Sequence, residues 1–165
     1  MLLKELAPPA TKKPGTYAAV TFSEKTVESL KELQEKLGVP NPLDASEFHS
    51  TLLYSRKNLP NYIPLGELTP VVTSDTEDFT LDIWPSGEKN VLVLIYPCEW
   101  LSSRWKELSA EHDAPWDFPD FTPHITLSYD VGDYTPPEKL VHFASKKPIV
   151  IVNEYSNDLN EDYSG

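Results

Sequence analysis

Residues 49–52 read HSTL and residues 124–127 read HITL, and this repeated tetrapeptide decides the fold. A shift of 75 places superimposes the two motifs, and without any gap it also brings KEL at 31–33 onto KEL at 106–108. Such self-similarity indicates two copies of one supersecondary unit that bury their apolar faces against each other. We therefore expect a pair of related half-units and not an open-ended array of repeats.

Each half-unit has the pattern strand, helix, strand. Residues 17–22 read YAAVTF, which is typical of a strand, and apolar residues at 27, 30, 33 and 37 form the stripe of an amphipathic helix that Gly38 ends. The strand with the His-x-Thr motif follows. We place the half-units at about residues 16–55 and 91–130 of one domain that spans 1–165. The sequence thus predicts an α+β fold with two pseudo-twofold lobes.

The other segments are less regular. Residues 58–70 hold three prolines and a glycine and are predicted to be mostly loop. Residues 79–84 alternate like a strand, with a turn predicted at 85–87, and residues 90–96 read NVLVLIY, which is typical of a strand buried on both faces. Residues 157–165 are polar and acidic, and we expect this tail to fray unless a ligand or partner orders it.

The repeated motif places a histidine and a threonine on the same side of a strand. Side chains alternate along a strand, so residues two apart share one face while the following leucine points to the other. If two such strands lie side by side about a pseudo-dyad, His49, Thr51, His124 and Thr126 line one cleft. A single His-x-Thr is commonly an ordinary piece of strand, but two copies at equivalent positions of a repeat favour a functional site.

Paired imidazoles and hydroxyls suit the cleavage of a phosphodiester without a metal ion. One histidine can take the proton of the attacking hydroxyl while the other protonates the leaving oxygen, because imidazole titrates near neutral pH. Threonine hydroxyls can hydrogen-bond the non-bridging phosphate oxygens and stabilise the charge of the transition state. The sequence leaves open which histidine is the base and which is the acid.

The composition excludes several other classes of protein. The 165 residues carry 14 basic and 26 acidic side chains, a net charge of −12, which disfavours long DNA or RNA because polyanion binding rests on phosphate neutralisation. One cysteine, Cys98, excludes an intramolecular disulfide and a cysteine-based zinc site. No stretch approaches the roughly 18 apolar residues of a membrane helix, and the first residues do not resemble a signal peptide. We therefore expect a soluble intracellular protein.

The sequence also resembles a known family. Two His-x-Thr motifs in a duplicated α+β chain are similar to the 2H phosphoesterase superfamily over about residues 16–152. Residues 1–9 (MLLKELAPP), 46–55 (SEFHSTLLYS) and 121–129 (FTPHITLSY) resemble one branch more closely still, the anti-CBASS phosphodiesterases of T4-like bacteriophages. That branch destroys the cyclic oligonucleotide signals of bacterial defence. The resemblance implies antiparallel sheets that line a central cleft, with helices outside.

The resemblance also implies a substrate and a set of site residues. The substrates would be 3′,5′-linked cyclic di- and trinucleotides that contain adenine. The ribose 2′ hydroxyl would attack the adjacent phosphorus without a metal or other cofactor and leave a linear product with a 3′-terminal phosphate. The residues that match the acid–base pair and the phosphate-holding hydroxyls are His49, His124, Thr51 and Thr126. The residues placed by the resemblance at the nucleobase are Tyr17, Trp84 and Glu154.

Two other functions fit the same residues. An RNA-end enzyme that opens 2′,3′-cyclic phosphates would use the same His-x-Thr geometry, and a non-catalytic sponge could use the aromatic residues to sequester cyclic nucleotides. The net acidity favours a small nucleotide over RNA, and the completeness of both motifs favours an enzyme over a sponge. We expect no membrane partner, leave the oligomeric state open, and place the protein in the cytoplasm of the infected bacterial host.

Overall fold

The computed structural model of the chain describes residues 14–73, 79–112, 121–136 and 148–159. Within these ranges the chain forms strands, two α-helices and one turn of 3-10 helix at Ala45–Glu47. The elements in chain order are β1 (Thr16–Phe22), α1 (Glu24–Leu37), β2 (Ser50–Ser55), β3 (Gly66–Val72), β4 (Thr80–Ser86), β5 (Lys89–Ile95), α2 (Glu99–His112), β6 (His124–Ser128) and β7 (Val150–Asp158). Residues 1–9, which support the family resemblance, and residues 160–165 of the acidic tail lie outside the described ranges.

The strands form two antiparallel sheets. Sheet A has the strand order β2-β1-β7-β3, and sheet B has the order β4-β5-β6. The predicted α+β class is therefore confirmed. Helices α1 and α2 are each 14 residues long and begin 75 places apart. The order strand, helix, strand thus recurs at the spacing of the sequence repeat.

Helix α1 begins and ends where its sequence predicts. The Ser23 side chain accepts a hydrogen bond from the Thr26 backbone N–H at 3.3 Å, which satisfies one of the free donors of the first turn. Gly38 ends the helix in the left-handed region, with φ 61°, a conformation that strains residues with a Cβ. No helix among the described residues is long and apolar enough to cross a membrane.

Each helix is bonded to the sheet that holds the motif strand of the other half-unit. Gln34 of α1 donates from Nε2 to the Leu127 carbonyl of β6, in sheet B, at 2.9 Å. Arg104 of α2 forms an ion pair with Glu154 of β7, in sheet A, with 2.9 Å between Nε and Oε1. These bonds join residues that are far apart in sequence, so they fix each helix to the opposite sheet.

One hydrophobic core takes residues from both sheets and both helices. Ala18, Val20 and Phe22 of β1 belong to it, together with leucines of α1 and α2. The alternate β1 residues, Tyr17 and Ala19, belong to a separate small cluster on the opposite face of sheet A. One face of sheet A thus packs on the main core, and the opposite face carries part of the candidate site.

The structure differs from the sequence prediction at two strands and at the tail. Strand β3 passes through Pro70 in a segment predicted to be loop, and β4 passes through Pro85 at a predicted turn. Both are edge strands, where the missing N–H of proline need not cost a ladder bond. At the other end, residues 157 and 158 complete β7, and Leu159 is buried. This part of the tail is therefore ordered.

Candidate active site

The two His-x-Thr motifs meet where the two sheets approach each other. Strands β2 and β6 are edge strands, one of each sheet. The Ser50 hydroxyl of β2 donates to the His124 carbonyl of β6 at 2.7 Å, and it also shares a hydrogen bond with the Tyr96 hydroxyl at 2.6 Å. Ser50 and Tyr96 are fully buried. A buried polar contact thus fixes the two motif strands side by side, as the pseudo-dyad requires.

Both histidines are anchored by the same local bond. His49 Nδ1 lies 2.8 Å from the Glu47 carbonyl, and His124 Nδ1 lies 2.8 Å from the Thr122 carbonyl. A carbonyl oxygen only accepts, so Nδ1 carries the hydrogen in each ring and Nε2 is left as the basic nitrogen. Each imidazole is therefore held in the tautomer that presents Nε2 for proton transfer.

Each motif strand also has a bulge at its leucine. The pairing of β1 with β2 skips Leu52, and the pairing of β5 with β6 skips Leu127, the equivalent residue of the repeat. Both leucines are fully buried in the core. A bulge lets a strand change which face its side chains occupy. In β2 the consecutive residues Leu52 and Leu53 can therefore both pack in the core, while Thr51 faces away from it.

Tyr17 contacts the residues of the first motif. Its hydroxyl lies 3.0 Å from Thr51 Oγ1, and its ring meets the His49 ring edge-on, with 6.4 Å between ring centroids. The sheet register places Tyr17 opposite Tyr54 and Ala19 opposite Thr51, so all four share one face of sheet A. The structure therefore brings Tyr17 into the site, where it orients Thr51.

Trp84 contacts the histidine of the second motif. The centroids of the Trp84 and His124 rings are 4.4 Å apart, with the planes tilted by 58°. The indole Nε1 donates to Asp82 Oδ2 at 3.0 Å. Sequence analysis did not single out Asp82, although the D-x-W spacing at 82–84 places both side chains on one face of β4 and could have indicated it.

Burial affects the protonation of His124. Burial is the main cause that lowers the pKa of His124 below its ordinary value, and the hydrogen bond to the Thr122 carbonyl opposes this effect in part. A smaller lowering of the pKa comes from the charge of His49. The two imidazoles are thus close enough for one charge to be felt by the other, and His124 favours its neutral form.

Glu154 lies apart from the paired motifs. It pairs with Val20, a core residue of β1, and is itself almost fully buried. Its carboxylate accepts four hydrogen bonds, two from the Arg104 guanidinium, one from the Tyr62 hydroxyl at 2.8 Å and one from the Leu65 backbone N–H at 3.0 Å. Burial alone would raise the pKa of Glu154, but these bonds outweigh it and lower that pKa. In this arrangement both carboxylate oxygens accept bonds from protein donors, and the side chain is buried.

Comparison with known proteins identifies the family. The family model for the anti-CBASS protein Acb1 matches residues 14–165. The chain belongs to this family. It is 38% identical over 155 residues to the anti-CBASS protein Acb1 of Enterobacteria phage T4, with 91% of each chain covered. It is 36% identical over 146 residues to the anti-CBASS protein Acb1 of Acinetobacter phage Ac42, with 88% of this chain and 91% of the relative covered.

Solved structures confirm the fold of this anti-CBASS protein. The crystal structure of E. coli LigT complexed with 3′-AMP superimposes with a TM-score of 0.56 at 17% identity and covers 90% of each chain. Another crystal structure, of a phosphoesterase, gives a TM-score of 0.55 at 15% identity and covers 87% of this chain and 86% of that one. The two-sheet fold implied by the family resemblance is therefore the fold of LigT-like 2H phosphoesterases.

The described residues offer no evident place for a metal ion. Among residues 14–73, 79–112, 121–136 and 148–159, no three His, Cys, Asp or Glu side chains are grouped as metal ligands would be. Cys98 precedes α2 and is buried, and burial raises the pKa of its thiol.

Proposed function

We propose that the protein is a metal-independent phosphodiesterase that hydrolyses adenine-containing 3′,5′-cyclic di- and trinucleotides and thereby lets a phage evade CBASS immunity. The observation that carries the proposal is the pair of His-x-Thr strands, joined by Ser50, in which each histidine is anchored through Nδ1. Membership of the anti-CBASS family supports the biological role. We place the activity in the cytoplasm of the infected bacterium.

The two imidazoles would divide the proton transfers. The base takes the proton of a ribose 2′ hydroxyl, which attacks the adjacent phosphorus, and the acid protonates the departing 5′ oxygen. The ring of the substrate opens and a 2′,3′-cyclic phosphate forms. Water then opens that phosphate with the two histidines in exchanged roles, and the linear product keeps a 3′-terminal phosphate.

His124 suits the role of base in the first step. Its lowered pKa keeps the ring neutral at a pH where an ordinary imidazole begins to take up a proton. A neutral imidazole can accept the 2′ hydroxyl proton at once. His49 of the first motif, whose Nδ1 is bonded to the Glu47 carbonyl, then serves as the acid.

Thr51 and Thr126 would hold the non-bridging oxygens of the scissile phosphate. Their hydroxyls are donors on the two motif strands, and hydrogen bonds to the developing charge stabilise the transition state. Tyr17 and Trp84 flank the two histidines and offer aromatic surfaces to the bases, a contact worth about 1–3 kcal/mol for each base. Glu154 remains a candidate for reading adenine, and that role requires its carboxylate to release Arg104 or Tyr62.

The net charge of the chain is compatible with this substrate class. A charge of −12 repels long polyanions, whereas a small cyclic anion needs only local donors in the cleft. An RNA-end 2′,3′-cyclic phosphodiesterase would use the same four side chains. Kinetics of the same protein on a cyclic dinucleotide and on an RNA with a 2′,3′-cyclic end distinguish the two, and we expect the larger kcat/KM for the cyclic dinucleotide.

The proposal is tested by incubation of the protein with a cyclic adenine-containing dinucleotide in excess EDTA. We expect linear product, and we expect none from the double variant His49→Ala/His124→Ala at the same concentration. Intact substrate in the presence of folded protein contradicts the proposal. If the substrate stays intact but co-elutes with the protein and is released on denaturation, the protein is a sponge.

A further inference from the structure

The carboxylate of Asp82 is held between two donors on its own strand. Oδ1 accepts the Ile83 backbone N–H at 2.9 Å, and Oδ2 accepts Trp84 Nε1–H at 3.0 Å. Each oxygen therefore has a defined partner, and the first bond fixes the carboxylate to the backbone of β4. The indole of Trp84 is tied to an anchored acceptor although Asp82 is exposed to solvent.

The register of sheet B shows why the indole needs such an anchor. Asp82 pairs with Val93, and Val93 pairs with Thr126, so these three form one row across the sheet. His124 belongs to the row on one side of it and Trp84 to the row on the other side. The Trp84 ring contacts the His124 ring, so it must lean diagonally over the row of Asp82.

Two residues of this row are buried, as expected if a ring packs on the same face of sheet B beside them. Val93 is completely buried and Thr126 is only 5% exposed, although both lie on the face of sheet B opposite to the core residues of β5. Thr51, the equivalent of Thr126 in the first motif, is only half-buried. The ring of Trp84 is the side chain that the contact with His124 places against the second motif.

We propose that Asp82 is a positioning residue that holds the Trp84 indole across sheet B and against His124. The exposed hydrogen bond selects one orientation of a side chain that otherwise has several staggered rotamers. The indole then restrains the His124 ring by direct contact, in addition to the bond from His124 Nδ1 to the Thr122 carbonyl. The catalytic consequence rests on the proposed function, whereas the position of the indole does not.

The position of the indole is tested by NMR on the whole protein. An aromatic ring at 4.4 Å shifts the resonance of the His124 Cε1 proton, so we record this signal in the parent and in Asp82→Ala. We expect the signal to move in Asp82→Ala and to stay in place in Glu88→Ala, a variant of the same hairpin with the same loss of charge. An unchanged His124 signal in folded Asp82→Ala overturns the proposal, whatever the enzyme cleaves.

A double-mutant cycle tests whether Asp82 acts through the indole N–H. Trp84→Phe keeps an aromatic ring but removes the donor, so Asp82→Ala should change kcat/KM in the parent and have no further effect in Trp84→Phe. We expect a loss of about three- to tenfold in the parent, the range that corresponds to one hydrogen bond, mostly through KM. Asp82→Asn keeps one acceptor oxygen and should recover part of the loss. Equal losses in both backgrounds overturn the proposal.

Discussion

The two half-units share the local geometry of their motifs and differ in what surrounds it. Each histidine is tied through Nδ1 to the carbonyl two residues earlier, and each motif strand bulges at its leucine. In the first half Tyr17 meets the histidine edge-on at 6.4 Å, whereas in the second Trp84 packs against it at 4.4 Å. Duplication thus supplies two imidazoles with the same local anchor, and residues outside the repeated motif give them different surroundings. In the mechanism that we propose, this difference assigns the base to His124 and the acid to His49.

The largest expected effect comes from the removal of either histidine. His49→Ala and His124→Ala should each lower kcat on a cyclic dinucleotide by more than about 10²-fold, because each proton transfer loses its side chain. The double variant should be little worse than the single ones, since the two residues act as one unit. Thermal melting of each variant provides the control for folding. A single variant that keeps more than a tenth of the parent rate would show that only one half of the repeat is catalytic.

We expect an effect of intermediate size in the pH dependence of kcat/KM, through His124 of the second motif. The pKa of His124 is lowered by burial, so this ring should titrate below the ordinary imidazole value of about 6.5 when followed by NMR. If His124 is the base, the acid limb of kcat/KM should follow the same midpoint, because activity is lost only when the ring becomes protonated. Among the described residues, the charge that acts on this pKa is that of His49. A His124 midpoint above 6.5 would reverse the assigned roles.

The sequence predicts the repeat and the pairing of the two His-x-Thr motifs better than it predicts their surroundings. The fixed spacing of 75 and the alternation of strands are local patterns, so they are visible in one dimension. The bulges at Leu52 and Leu127 depend on the pairing of two strands, and no signal in either strand alone marks them. Asp82 acquires its role only from the neighbouring indole, and Glu154 only from Arg104 of a distant helix.

Tertiary context also decides the proline-containing strands. Pro70 and Pro85 favour loops by their local propensity, but the sheets place both in edge strands where the lost donor is tolerated. Whether a strand lies at an edge is a property of the whole sheet. A prediction from residues 58–70 alone therefore misses that β3 begins at Gly66.

The smallest effect concerns the contact between the halves. Ser50→Ala removes the hydrogen bonds to the His124 carbonyl and the Tyr96 hydroxyl, and leaves a buried hydroxyl with one partner fewer. We expect the free energy of unfolding to fall by about 1–3 kcal/mol, measured by urea denaturation. Ser86→Ala, at the end of β4, is the control and should change it by less than about 0.5 kcal/mol. If Ser50→Ala is as stable as the parent, the hydrogen bond between β2 and β6 does not hold the two motifs together.

The central claim is that the two imidazoles act on one phosphorus atom. It is tested most directly by a crystal structure with a cyclic dinucleotide that lacks the 2′ hydroxyls and so cannot be cleaved by their attack. We predict one phosphate between the motifs, with Nε2 of His49 and Nε2 of His124 each at about 2.7–3.2 Å from a different oxygen of that phosphate. A phosphate in contact with only one of the two rings, or bound away from both, would contradict the account.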